Sequence, residues 1–328
     1  MRGHAQYLAR RLAFAVLLIV LVSSAGFLLT RAAPGDFASE LYGSGATADS
    51  IARDRARLGL DRPILAHYLD WLGRAARFDL GTSLMFRRPV AGLVRERAGN
   101  TAVLALTALA FATLVGLPLG VVSGSRGRGV VPAVIRAAST LALSVPSLVL
   151  SLLLVLLAAR TRWLPIGGMV SAEAAGAGWP GWLADLAWHL PLPAVALALP
   201  LAAMLERLQS QAMADTIDRP YVTAARARGV SWRRAIWVHA LVPSLKPVAS
   251  VYGLVLGTLL SGSFIVEIVT AWPGLGQLMF DALRARDVNL VAGCALAGAV
   301  FLAAGSLVSD VLLALVDPTL GDAVGAEG

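Results

Sequence analysis

Few residues in this chain are placed for chemistry. Its only lysine, Lys246, sits between Leu245 and Pro247. A phosphate-binding P-loop needs a lysine directly after a glycine-rich run, so the chain carries no ATP site of that kind. His4, His67, His189 and His239 are scattered without paired metal-ligand spacing, and the lone Cys294 lies in an apolar run with no ligating neighbour. Ser261 and Ser263 stand beside Gly257 and Gly262, where packing between helices explains them better than nucleophilic catalysis does. Arg136, Glu267 and Asp310 fall near the ends of apolar runs, too sparse and too peripheral for a proton relay. These residues point away from an enzyme and give no sign of a cofactor or a metal.

What remains is one polar interruption, residues 206–247, between two apolar stretches. It holds seven basic residues: Arg207, Arg219, Arg226, Arg228, Arg233, Arg234 and Lys246. Pro220 can open a helix at its first turn, and Tyr221 to Arg228 are mostly good helix formers. Gly229 tolerates the positive φ that ends many helices. Ser231 is placed to cap a second short helix from Trp232 to Leu241, stopping before Pro243. Two short helices meeting at a glycine elbow make a docking device rather than a slack connector.

The elements that must hold this knuckle are membrane spans. The chain has 328 residues, of which 57% are hydrophobic and 15% charged, with a mean hydropathy of +0.72. A soluble domain would have about a quarter of its residues charged. The fold class is all-α, a polytopic membrane protein. A net charge of +8 is explained by cytoplasmic loops rich in arginine, without nucleic acid. Spans are expected near 12–30, 101–122, 130–158, 190–205, 247–267 and 289–315, each close to the ~20 residues needed to cross a bilayer.

Arginines before the first span, and Arg126 with Arg128 in the tight connection after the second, put both termini in the cytoplasm. The first span is expected to be retained, although Ser23-Ser24-Ala25 has some likeness to a signal cleavage site. Residues 31–100 would then lie outside, with eleven arginines and eight acids. They should form an amphipathic helix after Pro63 and a turn at Asp79-Leu80-Gly81. Trp163, Trp179, Trp182 and Trp188 cluster between the third and fourth spans, as aromatic residues do at a membrane surface. The chain divides into 1–100, the first span with its outer segment, and 101–320, a core of five spans carrying the 206–247 loop.

The knuckle resembles the cytoplasmic loop of ABC importer permeases, whose pattern is Glu-Ala-Ala, three residues, Gly, then nine residues before Ile-x-Leu-Pro. Thr223-Ala224-Ala225 takes the first triplet and Gly229 the glycine, while His239-Ala240-Leu241-Val242 takes the last motif, with Pro243 one residue late. The likeness is closer to the first permease of the dipeptide, oligopeptide and nickel branch. It rests on Tyr221, Ala224-Ala225-Arg226-Ala227-Arg228-Gly229 and His239-Ala240-Leu241. It extends to Leu58-Gly59-Leu60-Asp61-Arg62-Pro63 through Tyr68, to Asp79-Leu80-Gly81-Thr82-Ser83, to Trp272-Pro273-Gly274-Leu275-Gly276 with Asp281-Ala282-Leu283 and Arg286-Asp287, and to Asp317-Pro318.

The resemblance implies the type I ABC importer permease fold with six transmembrane helices, in a bacterial or archaeal plasma membrane. It implies a heterodimer with a second permease, one or two ATPase subunits on which ATP is hydrolysed, and an extracytoplasmic solute-binding protein. Tyr221, Val222, Thr223, Ala224, Ala225, Arg226, Ala227, Arg228 and Gly229 would form the coupling helix against the ATPase, small Ala224, Ala225 and Ala227 permitting close approach. Thr223 departs from the family's glutamate. The implied cargo is a dipeptide or oligopeptide. The alternatives are nickel or another small solute carried by the same machine, and a stand-alone secondary carrier.

Overall fold

A computed structural model describes residues 2–33, 35, 37–38, 48–57, 61–176 and 178–316. The expected motifs at Leu58-Gly59-Leu60 and Asp317-Pro318 lie outside the described residues, as do the side chains of Ser261 and Asp310. The described chain is helical, in the order α1 (Arg2–Ala32), α2 (Ala48–Arg57), α3 (Ile64–Ala75), α4 (Val90–Arg126), α5 (Val130–Ser144), α6 (Ser147–Thr161), α7 (Gly178–His189), α8 (Pro191–Ile217) and α9 (Pro220–Ala227). A segment with a π-helical middle, α10 (Trp232–Ser244), follows, then α11 (Lys246–Val269), α12 (Leu275–Arg284) and α13 (Val288–Val316).

Four helices are long and apolar enough to cross a membrane, within Arg10–Ala32, Val90–Arg126, Pro191–Ile217 and Val288–Ser309. The spans number six if each of two bent pairs is one span. The first pair, α5 and α6, stands where a span is expected at 130–158, and its halves meet at 100°. Pro146 is the reason. It disfavours helical backbone at the residue before it, and Val145 is extended (φ −94°, ψ 116°). At 37 residues, α4 is about 55 Å long, longer than a hydrocarbon layer of ~30 Å.

The chain packs as two compact units. One comprises the described parts of Met1–Ala9, Ala102–Trp272 and Ala304–Gly328. Its core runs along α8, where Ala196, Ala198 and Leu205 are fully buried among Leu104, Ala108 and Val255. The stripe Gly116, Gly120 and Gly124 lets α4 lie against α8 at backbone contact. A Cβ on these glycines would sit 2.5 Å from the Ala202 carbonyl oxygen, 2.6 Å from Gln209 Cβ and 2.3 Å from the Ser210 carbonyl oxygen. Lipid gives apolar helices no hydrophobic drive to associate, so such close packing is what holds them. Gly253 of α11 similarly meets Ser309 and Gly305 of α13.

The other unit comprises the described parts of Arg10–Thr101 and Pro273–Ala303. The expected helix after Pro63 is present as α3, with Trp71 fully buried against Phe27, their rings 5.3 Å apart. The turn at Gly81 (φ 80°) is closed by its N–H donating to Asp79 Oδ1 at 2.9 Å. Asp287 caps α13 by accepting the Leu290 N–H at 3.2 Å, and also accepts from Ser83 Oγ at 2.7 Å and the Met85 N–H at 3.1 Å. Asn100 Nδ2 donates to the Pro273 carbonyl at 2.8 Å, and Thr101 Oγ1 accepts the Leu275 N–H at 2.7 Å. The Trp-Pro-Gly and Arg-Asp motifs are therefore structural clamps.

Candidate functional site

The knuckle is built from α9 outward. Arg219 is extended (φ −64°, ψ 145°) and Pro220 occupies the first turn, where a missing N–H loses no helical bond. At the other end the Val230 N–H donates to the Ala225 carbonyl at 3.2 Å and the Gly229 N–H to the Arg226 carbonyl at 2.9 Å. That pair of bonds is the Schellman closure, which requires a left-handed residue between its donors. Gly229 supplies it at φ 88°, and a Cβ there would meet no atom within 4 Å. The glycine is needed for its backbone conformation, not for space inside this chain.

The faces of α9 divide the nine expected contact residues. Val222 and Ala225 are buried, three apart on one face. Val222 packs with Met213 of α8, Val121 of α4, and Ala235 and Ile236 of α10; burying such a side chain contributes about 1.5 kcal/mol. Ala225, expected to admit an external partner, instead lies against its own chain, so the smallness of this side chain serves internal packing. Tyr221, Thr223, Ala224, Arg226, Ala227, Arg228 and Gly229 face outward. The Arg226 guanidinium lies 4.4 Å from the Trp232 ring centroid, which fixes one charged side chain across the elbow. Thr223 Oγ1, where the family pattern has glutamate, donates back to the Arg219 carbonyl at 3.3 Å.

The second half of the knuckle differs from expectation. Ser231 is extended and stands at the N-cap position, but its hydroxyl makes no capping bond. The helix does not stop before Pro243. It widens to a π turn over Ala235–Ala240, passes Pro243 and bends by 53° into α11. Proline lacks an N–H and its ring collides with the carbonyl four residues back. A widened turn at His239 and a bend beyond accommodate both effects.

Beneath the knuckle lies a polar layer that the sequence reading placed in a loop. Residues 206–217 belong to α8, so Glu206 and Gln209 are span residues, almost wholly buried. Ser123 Oγ donates to Glu206 Oε1 at 2.5 Å, and Gln209 Nε2 donates to Ser244 Oγ at 2.8 Å. Glu206 Oε2 and Gln209 Oε1 have no hydrogen-bond partner. The four-residue spacing of Gly116, Gly120 and Gly124 was the available signal: a helix face without side chains leaves room for polar groups on the helix opposite. Through Ser244 this layer ties α8 to the bend that leads into α11.

The remaining sequence candidates are not brought together. Glu267 is buried and accepts from Ser263 Oγ at 2.8 Å. Arg136 is exposed, its guanidinium 3.5 Å from the Gly127 carbonyl. His189 Nδ1 bonds the Asp185 carbonyl oxygen at 2.8 Å. The Asp185 carboxylate accepts from the Ser171 N–H at 2.6 Å and from Ser171 Oγ at 2.9 Å. Those bonds to Ser171, the backbone one foremost, hold Asp185 below the usual carboxylate range. The serine hydroxyl is turned to the carboxylate, not to the imidazole, so the trio is a loop pin. Among the described residues no three His, Cys, Asp or Glu side chains gather as a metal site.

Comparison with known proteins accounts for this arrangement. The family model described as "binding-protein-dependent transport system inner membrane component" matches residues 116–322. A second, for the N-terminal part of the membrane component, matches residues 4–105. The chain is 30% identical to the oligopeptide transport system permease protein AppB of Bacillus subtilis, over 96% of this chain and 99% of that protein. It is 35% identical to the oligopeptide transport system permease protein OppB of Mycobacterium tuberculosis, over 95% and 98%. It is 31% identical to a putative peptide permease of Brucella suis, over 96% and 98%. The chain belongs to the family of inner membrane components of binding-protein-dependent transport systems, and is a multi-pass membrane protein of the type I ABC permease fold.

Proposed function

We propose that this family member is the translocation subunit of an ATP-driven importer of short peptides, and that the outward face of α9 is where an ATPase subunit docks. One observation carries the reading. A short helix is closed at both ends, bolted to α4, α8 and α10 through Val222, and presents Tyr221, Thr223, Ala224, Arg226, Ala227 and Arg228 outward. The chain has no P-loop lysine of its own. Partners supplying the rest are a second permease, one or two ATPases and an extracytoplasmic solute-binding protein. ATPase closure moves α9 as a rigid body, and the Gln209–Ser244 bond passes that motion to α8 and α11. The peptide names of the three relatives favour peptide over nickel as cargo.

In this proposal both termini are cytoplasmic, residues 1–100 form the first span with its outer segment, and residues 101–320 form the permease core. Support comes from Val121, near the arginine-bearing end of α4, which shares a buried cluster with Val222 and so puts two arginine-rich connections at one end of the same unit. Purification of the solubilised chain from its own cells should recover a second permease and ATPases, and the reconstituted assembly with its binding protein should take up trialanine only with ATP. A chain that purifies alone and transports without ATP would replace this reading with a secondary carrier. A reporter at residue 75 should be extracytoplasmic; a cytoplasmic signal would invert the orientation.

A further inference from the structure

A polar cavity of about 600 Å³ lies between α2, α3 and the start of α13. Its size suits a small molecule, yet its walls are charged. His67, Asp70 and Arg74 share one face of α3, Arg57 closes α2, and Asp61, Arg62 and Asn289 complete the lining. Arg62 is engaged by Asp70 at 3.2 Å. Among the described residues Arg57 and Arg74 have no carboxylate partner. Gly81, at φ 80°, has no Cβ where one would stand 3.2 Å from Arg74 Nη1 and 3.3 Å from Asn289 Nδ2.

Two of the lining residues also carry buried acceptors. His67 Nδ1 and Asn289 Oδ1 are buried without a hydrogen-bond partner. Burial, then the charges of Arg31, Arg74 and Arg62, push His67 below the ordinary histidine range, so it is neutral at physiological pH and keeps a ring nitrogen able to accept. Two unmatched guanidiniums with a free acid complement a molecule bearing both a carboxylate and an ammonium. Arginine suits the carboxylate because its fork can bind both oxygens.

We propose that this cavity is a binding site for the termini of a short peptide, its carboxylate held by Arg57 and Arg74 and its amine directed to Asp61. The inference rests on the peptide reading above but assigns a separate site, on the side proposed to be extracytoplasmic. The test is calorimetric titration of the whole transporter in nanodiscs, without binding protein, using trialanine, trialanine amide and acetate. Trialanine should bind, its amide at least tenfold more weakly, and acetate more weakly than trialanine. Arg57→Gln with Arg74→Gln should reduce trialanine affinity tenfold or more at an unchanged unfolding midpoint, with Arg74→Lys intermediate. Absence of trialanine binding, equal binding of acid and amide, acetate as tight as trialanine, or full affinity in the double variant would each overturn the site. ATP-driven trialanine uptake by the same assembly in proteoliposomes, now with binding protein, separates the two claims. Uptake without cavity binding removes only the cavity, whereas a wild-type assembly that takes up no trialanine removes the importer reading.

Discussion

Replacing Gly229 by proline is expected to lower ATP-driven uptake at least a hundredfold while the chain still reaches the membrane in normal amount. Gly229 sits at φ 88° and donates its N–H to the Arg226 carbonyl. Proline is confined to φ near −65° and has no N–H, so it removes both features of the closure. A graded series separates conformation from contact. Alanine in a left-handed conformation costs about 1–2 kcal/mol, and asparagine tolerates that region better. Uptake should therefore fall in the order glycine, asparagine, alanine, proline. Since a Cβ at 229 meets nothing within 4 Å of this chain, equal loss for asparagine and alanine would mean that a partner's surface, not the elbow, rejects the side chain. Normal uptake in the proline variant would remove the elbow from the mechanism.

Gly120→Leu is expected to lower the unfolding midpoint in detergent far more than leucine at the open glycines of α4, and to cut the yield of folded protein. Even the first carbon of the new side chain would stand 2.6 Å from Gln209 Cβ and 2.7 Å from the Glu206 carbonyl oxygen. Helices must separate to admit it, and overpacking of this kind costs about 1–3 kcal/mol. Separation also disturbs the Ser123–Glu206 bond, leaving more of a buried carboxylate without a donor. The same helix contains its own controls: at Gly92 and Gly99 a Cβ would meet nothing within 4 Å. Leucine there should leave the midpoint near its original value, and Gly99→Leu matching Gly120→Leu would show that glycine flexibility, not close approach, is what α4 needs.

The parts legible in the sequence were those fixed by local rules. Pro220 starts a helix and Gly229 ends one for reasons contained within a few residues, and the elbow follows from them. The lengths of the apolar runs likewise counted the spans. Faces were less legible. Glu206 and Gln209 resemble loop residues because hydropathy records what a side chain is and not what lies opposite, and a glycine stripe about ninety residues earlier in the chain makes their burial possible. Val222 and Ala225 turn inward for the same kind of reason: an eight-residue helix has too few turns for its inner face to be read without its neighbours. Pro146 and Pro243 illustrate two outcomes of one residue type. The first ends a helix through the extended residue before it, while the second is absorbed by a π turn upstream.

The central claim, that the outward face of α9 meets an ATPase, is tested most directly by cysteine cross-linking at single positions in the assembled complex. The only native cysteine, Cys294, is buried, so introduced thiols can be read against a quiet background. Ala224→Cys and Ala227→Cys should each form a short cross-link to an ATPase subunit, changing in yield when ATP is bound, while Val222→Cys should form none. Cross-links from Val222→Cys equal to those from Ala224→Cys, or none from either outward position in an assembly that still takes up peptide, would contradict it.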